Sequence, residues 1–162
     1  MTDFSCKKFG LISLGCDKNR VDSEKLLSII KERGGLITSD IEQAQILIVN
    51  TCAFLNESRK EGIETVLDCA RYKSINLEKL VVTGCLPQKY IGETFEPLTE
   101  ADVFLGVNDY DKLFEALEKS YGGDRINYVG RGEGGYHGTR MLTTPQHFAY
   151  LKIADGCNNH CT

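Results

Sequence analysis

QILIVNTC, residues 45–52, sets an unbroken apolar run, Ile46–Val49, between a glutamine and an Asn-Thr-Cys ending. A run this short suits a strand buried on both faces, as in the middle of a parallel sheet. Two further stretches share the plan. Lys8–Leu14 leads to Gly15-Cys16, and Lys79–Thr83 leads to Gly84-Cys85. The three cysteines stand 36 and 33 residues apart, close to the roughly 30 residues of one strand–helix–strand unit. If the three strands are parallel neighbours, all three thiols emerge at one edge of one sheet.

The residues between the strands agree. Val21–Arg33 carries Leu26, Leu27, Ile29 and Ile30 on a helical period, with Asn19 or Asp22 as its N-cap, and Gly34-Gly35 ends it. Leu36–Thr38 is a short edge strand. A second helix runs from about Glu57 to Tyr72, with Ile63, Val66, Leu67 and Ala70 on one face. Pro87 opens a short helix through Tyr90 and Ile91, and Val103–Leu105 is a fourth buried strand. Tyr110, Leu113, Phe114 and Leu117 then follow at i, i+3, i+4 and i+7, an amphipathic helix. Such alternation predicts an α/β fold, a mostly parallel sheet with helices on both faces, over residues 1–120. Residues 121–146 are glycine-rich and lack a helical period, which reads as a linker with one short strand near Ile126–Val129. His147–Ile153 reads as the first strand of a second domain, residues 147–162, too short to stand alone; the chain is expected to be the N-terminal piece of a longer protein.

At 162 residues the chain can build a real core. A net charge of −4 does not suggest a nucleic-acid surface, and direct nucleic-acid binding is not expected. No apolar run approaches the roughly 20 residues that cross a bilayer, and the start has no signal-peptide layout, so a cytoplasmic protein without membrane contact is expected. Seven cysteines are many for such a protein. An odd count in a reducing compartment favours metal ligation or redox chemistry over disulfides.

In open parallel sheets, ligands bind at the carboxyl ends of strands, where Cys16, Cys52 and Cys85 fall. Each also precedes a helix, whose N-terminal N–H groups favour thiolates, the form that iron–sulfur clusters and zinc require. A structural zinc site usually takes four ligands. Cys6, which precedes the first strand, stands at the wrong end of the sheet to be the fourth. Three thiolates suit a [4Fe–4S] cluster with one iron left open. The bland alternative is three buried core thiols. Asp17, Lys18 and Asn19, beside the first cysteine, are as well suited to capping a helix as to shaping a sulfur-transfer pocket. Asn50 and Thr51 can orient the second cysteine loop through hydrogen bonds.

A second motif, Cys157-Asn158-Asn159-His160-Cys161, is C-x3-C straight after the expected strand at 147–153. It looks like the opening of the radical S-adenosylmethionine signature C-x3-C-x2-C, whose third cysteine would fall beyond Thr162. Together SLGCDKNRVDSE (13–24), NTCAFLNES (50–58), VTGCLPQ (82–88) and YLKIADGCNNHCT (150–162) resemble the methylthiotransferase family. Within it, Lys18-Asn19 followed by Val21-Asp22-Ser23-Glu24 is similar to the RimO branch, which methylthiolates an aspartate of a small-subunit ribosomal protein. The alternative within the family is the tRNA-modifying MiaB branch.

The resemblance implies a Rossmann-like or flavodoxin-like N-terminal domain and two [4Fe–4S] clusters. Cys16, Cys52 and Cys85 would hold the auxiliary one. Cys157 and Cys161 would be two of the three ligands of the cluster that cleaves S-adenosylmethionine. It also implies an electron donor, a ribosomal protein substrate, and no turnover by this chain alone. A non-catalytic zinc-binding interaction domain is the alternative of another class.

Three features are set aside. Gly130–Gly135 satisfies G-x-G-x-x-G, but no helical pattern follows it. Cys69 reads as a core or helix-surface thiol. His137, His147 and His160 read as solvated, although His160 stands within the second cysteine motif.

Overall fold

The computed structural model describes residues 2–130, 138–154 and 159. Its strands are β1 Lys8–Ser13, β2 Leu36–Ile37, β3 Ile46–Thr51, β4 Lys79–Gly84, β5 Val103–Leu105 and β6 Ile126–Tyr128. They form one sheet in the order β2-β1-β3-β4-β5-β6, and every neighbouring pair is parallel. The helices are α1 Asp17–Glu32, α2 Asn56–Ala70, α3 Cys85–Thr94 and α4 Leu113–Tyr121.

β3 is buried at every position, as its unbroken apolar run predicts. Successive side chains alternate faces. Ile46 and Ile48 join the core made with α1 and α4, and Leu47 and Val49 join the one made with α2. Leu26, Leu27, Ile29 and Ile30 of α1 are all buried, as are Tyr110, Leu113, Phe114 and Leu117. In α2 the expected face is rotated slightly. Leu67 is 41% exposed, and Cys69 fills the core instead.

Register sets the level of the rim. Ser13 pairs with Asn50, and Asn50 with Thr83. The three cysteine-bearing loops therefore leave β1, β3 and β4 at the same height. The direction of chain travel reverses between β1 and β3, because β1 is followed in space by β2 on one side and β3 on the other. That is the switch point where open α/β sheets form their ligand crevice.

Three expectations change. Helix α1 starts at Asp17 with Cys16 as N-cap, a turn earlier than the apolar period implies. Asn19 and Asp22 lie inside it, both buried. The short strand near 126–129 is the sixth strand of the sheet, so sheet structure continues past residue 120. His147–Ile153 is not a strand: it pairs with none among the described residues, and Leu151 and Ile153 are 83% and 89% exposed. Local bonds serve its backbone instead: Phe148 N–H donates to the Pro145 carbonyl at 3.3 Å, and the Phe148 carbonyl accepts from Thr144 Oγ1 at 2.7 Å.

Burial pushes the Cys69 thiol up from 9.0 to about 11, with Asp68 adding to the effect. A raised folded-state value means that the unfolded chain ionises this thiol first. Its contribution to stability is complete below pH 9 and is lost as pH climbs to about 11. The urea midpoint of the wild-type chain should fall across that window more than that of Cys69→Val, which has no thiol to ionise there.

Candidate metal centre

Two glycines bring the cysteine loops together. Gly15 has φ +92°, and a Cβ there would lie 2.6 Å from Cys52 Cβ and 3.0 Å from Cys52 Sγ. Gly84 has φ +95°, and its Cβ would lie 2.3 Å from the Thr51 carbonyl oxygen. Only glycine combines left-handed φ with such close approach. Each Gly-Cys pair thus presses its loop onto the loop that carries Cys52.

Asn19 joins all three. Its side chain is 3% exposed. Nδ2 donates to the carbonyls of Leu14, 2.8 Å, and Thr51, 3.0 Å, which fixes the loops before Cys16 and Cys52. Oδ1 faces both Cys16 Sγ at 3.9 Å and Cys85 Sγ at 3.8 Å. Asn50 supports it from below, donating through Nδ2 to the Asn19 carbonyl at 2.8 Å and to Ser23 Oγ at 2.9 Å. Of the two roles open to Asn19 in the sequence, it does not take the cap, which falls to Cys16; it lies inside α1 as a bracket under the thiols and lines the cavity beside them.

A threonine ladder ties the strand ends to one another. Thr51 Oγ1 donates to the Thr83 carbonyl at 2.6 Å, and Thr83 Oγ1 donates to the Leu105 carbonyl at 3.0 Å. Thr83→Val keeps the shape and removes one buried donor, so it should cost ~1–2 kcal/mol in urea unfolding. A cost near zero would mean that the ladder carries no load.

The cysteines differ in exposure. Cys16 is exposed, Cys85 is intermediate, and Cys52 is buried at 7%. Cys85 departs from expectation. Its helix N-terminus was expected to lower the thiol pKa, but burial pushes it up, and the neighbouring Cys52, Cys16 and Asp22 push the same way against Lys18. Desolvation comes first among these causes, and the repulsion of the gathered negative charge adds to it. A polynuclear cation bound between the thiols would remove that repulsion.

A cavity of about 300 Å³ opens beside Cys16, Cys85 and Asn19, with Lys18, Lys89 and Lys152 also on its wall. Among the described residues, no group of three or more His, Cys, Asp or Glu side chains is set to hold one metal ion. A single zinc ion draws its thiolates to about 2.3 Å from one centre. A four-iron cluster takes each thiolate at a different corner and so holds them farther apart. The donor set fits the cluster: three thiols on three loops, with no fourth thiol beside them among the described residues and the nearby Asp22 carboxylate already paired with Lys152. Cys6 is exposed and precedes β1, at the opposite end of the sheet. Cys157, Cys161, His137 and His160 lie outside the described residues; His147 is exposed.

Sequence reasoning placed the thiols but missed the bracket. Asn19, Asp22, Ser23 and Glu24 are all buried in α1. The only signal for this is that polar residues interrupt the helical period at its start.

Fold and site together define an α/β domain with a three-thiol rim at the switch point of a parallel sheet. The chain belongs to the family described as "Uncharacterized protein family UPF0004", whose model matches residues 8–106. It is 51% identical to the "Ribosomal protein uS12 methylthiotransferase RimO" of Clostridium tetani, over 96% of this chain and 35% of that protein. The proteins of the same description from Clostridium botulinum (strain Hall) and Thermoanaerobacter sp. (strain X514) are 47% and 42% identical, again over 96% of this chain and 35% and 36% of theirs. The chain spans about a third of the length of these curated relatives.

Proposed function

We propose that this chain is the N-terminal auxiliary-cluster domain of a radical S-adenosylmethionine methylthiotransferase of the RimO type. The observation that carries the reading is the convergence of Cys16, Cys52 and Cys85 on one rim, with Asn19 Oδ1 between two of the thiols and Gly15 against the third. These three cysteines would hold one [4Fe–4S] cluster. When bound, it supplies an iron with an open position for a sulfur ligand or substrate. The chain's own residues set the thiols in place, exclude water beneath them through the Asn19–Asn50 network, and line the cavity beside them with ammonium groups.

Cys157 and Cys161 are proposed as two of the three ligands of a second cluster, which would supply reductive cleavage of S-adenosylmethionine given an external electron donor. Residues 1–120, extended by β6 to Tyr128, are proposed as the N-terminal domain, the residues from there to 146 as linker, and 147–162 as entry to the radical domain. An aspartate of a small-subunit ribosomal protein is the proposed substrate, supported by the uS12 named in the relatives' descriptions. A cytoplasmic setting follows from that substrate. Among the described residues, no helix is long and apolar enough to cross a membrane.

In cells lacking the full-length protein, mass spectrometry should find the ribosomal protein without its methylthio group and tRNA normally modified. The reverse pattern would overturn the assignment in favour of the tRNA branch.

A further inference from the structure

Asp22 and Glu24 of α1 are carboxylates at 4% and 1% exposure. Buried charge is retained only with partners, and most of theirs come from residues 138–154. Both oxygens of Asp22 accept from Lys152 Nζ at 2.9 Å, with Lys25 a looser second partner at 3.5 Å. Glu24 Oε2 meets Arg140 Nε at 3.1 Å, and its Oε1 accepts from Thr143 N at 2.7 Å and Thr143 Oγ1 at 2.9 Å. Farther along α1, Thr139 Oγ1 lies 2.9 Å from Ser28 Oγ and donates to Glu32 Oε1 at 2.7 Å. At the other end, the Arg20 guanidinium lies 5.9 Å from the Tyr150 ring.

These contacts run in order. Thr139 meets the C-terminal half of α1, Thr143 its middle, and Tyr150 and Lys152 its first turns. The segment therefore travels antiparallel to α1, back toward the cysteine rim. It brings Lys152 to the wall of the cavity that Cys16 and Cys85 line, five positions before Cys157 in the sequence.

We infer that residues 138–154 form a strap, latched by the Asp22–Lys152 ion pair, that closes one side of the cysteine cavity and leads the chain from the first cysteine set toward the second. Asp22, Glu24 and Lys152 are positioning residues. The inference deepens the proposed function and rests on it for the identity of the site, but the latch itself can be read on free thiols.

The test uses the whole chain in its metal-free form. Lys152→Met should raise hydrogen exchange at the Met141 and Thr143 amides, which donate to Glu24, about tenfold while β3 and β4 stay protected. It should also raise the rate at which a bulky maleimide labels Cys85, relative to iodoacetamide, by a similar factor. Lys152→Arg, which keeps the charge, should stay at wild-type values in both, and Asp22→Asn should match Lys152→Met. Lys152 lies outside the sheet and both helix cores, so its variant carries the test even if Asp22→Asn fails to fold. Exchange and labelling ratio unchanged in Lys152→Met would overturn the strap. Failure of the wild-type chain to take up iron and sulfide would instead overturn the cluster reading, since the strap readouts need no metal.

Discussion

Asn19→Ala is expected to destabilise the metal-free chain by ~2–4 kcal/mol and to cut its iron uptake by more than half. The first number follows from one buried carbonyl, that of Thr51, and one partly buried, that of Leu14. Leu14 and Thr51 each lose the Nδ2 donor that now lies at 2.8 and 3.0 Å. An orphaned buried acceptor costs ~1–3 kcal/mol, and a domain of this kind has only ~5–15 kcal/mol in hand. The second follows from geometry, because the same amide aligns the loops before Cys16 and Cys52 and faces the Cys85 thiol. Urea unfolding and iron analysis check the two separately. A variant within ~0.5 kcal/mol of wild type would show that water replaces the bracket freely.

Gly84→Ala should be as damaging, at ~3 kcal/mol or more, by a different route. Its φ of +95° is costly for any other residue, and the added Cβ would meet the Thr51 carbonyl oxygen at 2.3 Å and Asn50 Oδ1 at 2.4 Å. A backbone oxygen inside the sheet cannot turn away as a side chain does. Gly123→Ala separates the two contributions. It has φ +106° with nothing within 4 Å of a Cβ, so it should cost only the ~1–2 kcal/mol of the left-handed conformation. Equal losses in the two variants would mean that the contact between the β3 and β4 loops is looser than it looks.

The parts of the molecule that were legible in the sequence share a simple physical cause. β3 and β4 are buried on both faces, so their apolar runs are unbroken, and a cysteine straight after each had to fall at the carboxyl rim. In α1 and α4 the buried stripes repeat at helical period because each covers one face of the sheet. What escaped notice is polar and long-range. Asn19 looks like a cap because caps and brackets use the same side chain, and only the fold shows that its amide faces Thr51, 32 residues on. Asp22 and Glu24 look like the solvated face of a helix until residues 138–154 lie across them. The short strand near Ile126–Val129 was legible, but its place as the sixth strand of the sheet shows only with β5 beside it. His147–Ile153 has the composition of a strand and no neighbour to pair with among the described residues, so composition alone misled.

The central claim is that Cys16, Cys52 and Cys85 hold one iron–sulfur cluster between them. Iron and acid-labile sulfide, measured after anaerobic reconstitution of a chain carrying Cys157→Ala and Cys161→Ala, test it most directly. The expected result is a brown protein with about four irons and four sulfides per chain, which falls toward zero when any one of Cys16, Cys52 or Cys85 becomes Ala. A colourless protein that takes up only zinc, or full iron retained in Cys52→Ala, would contradict the account.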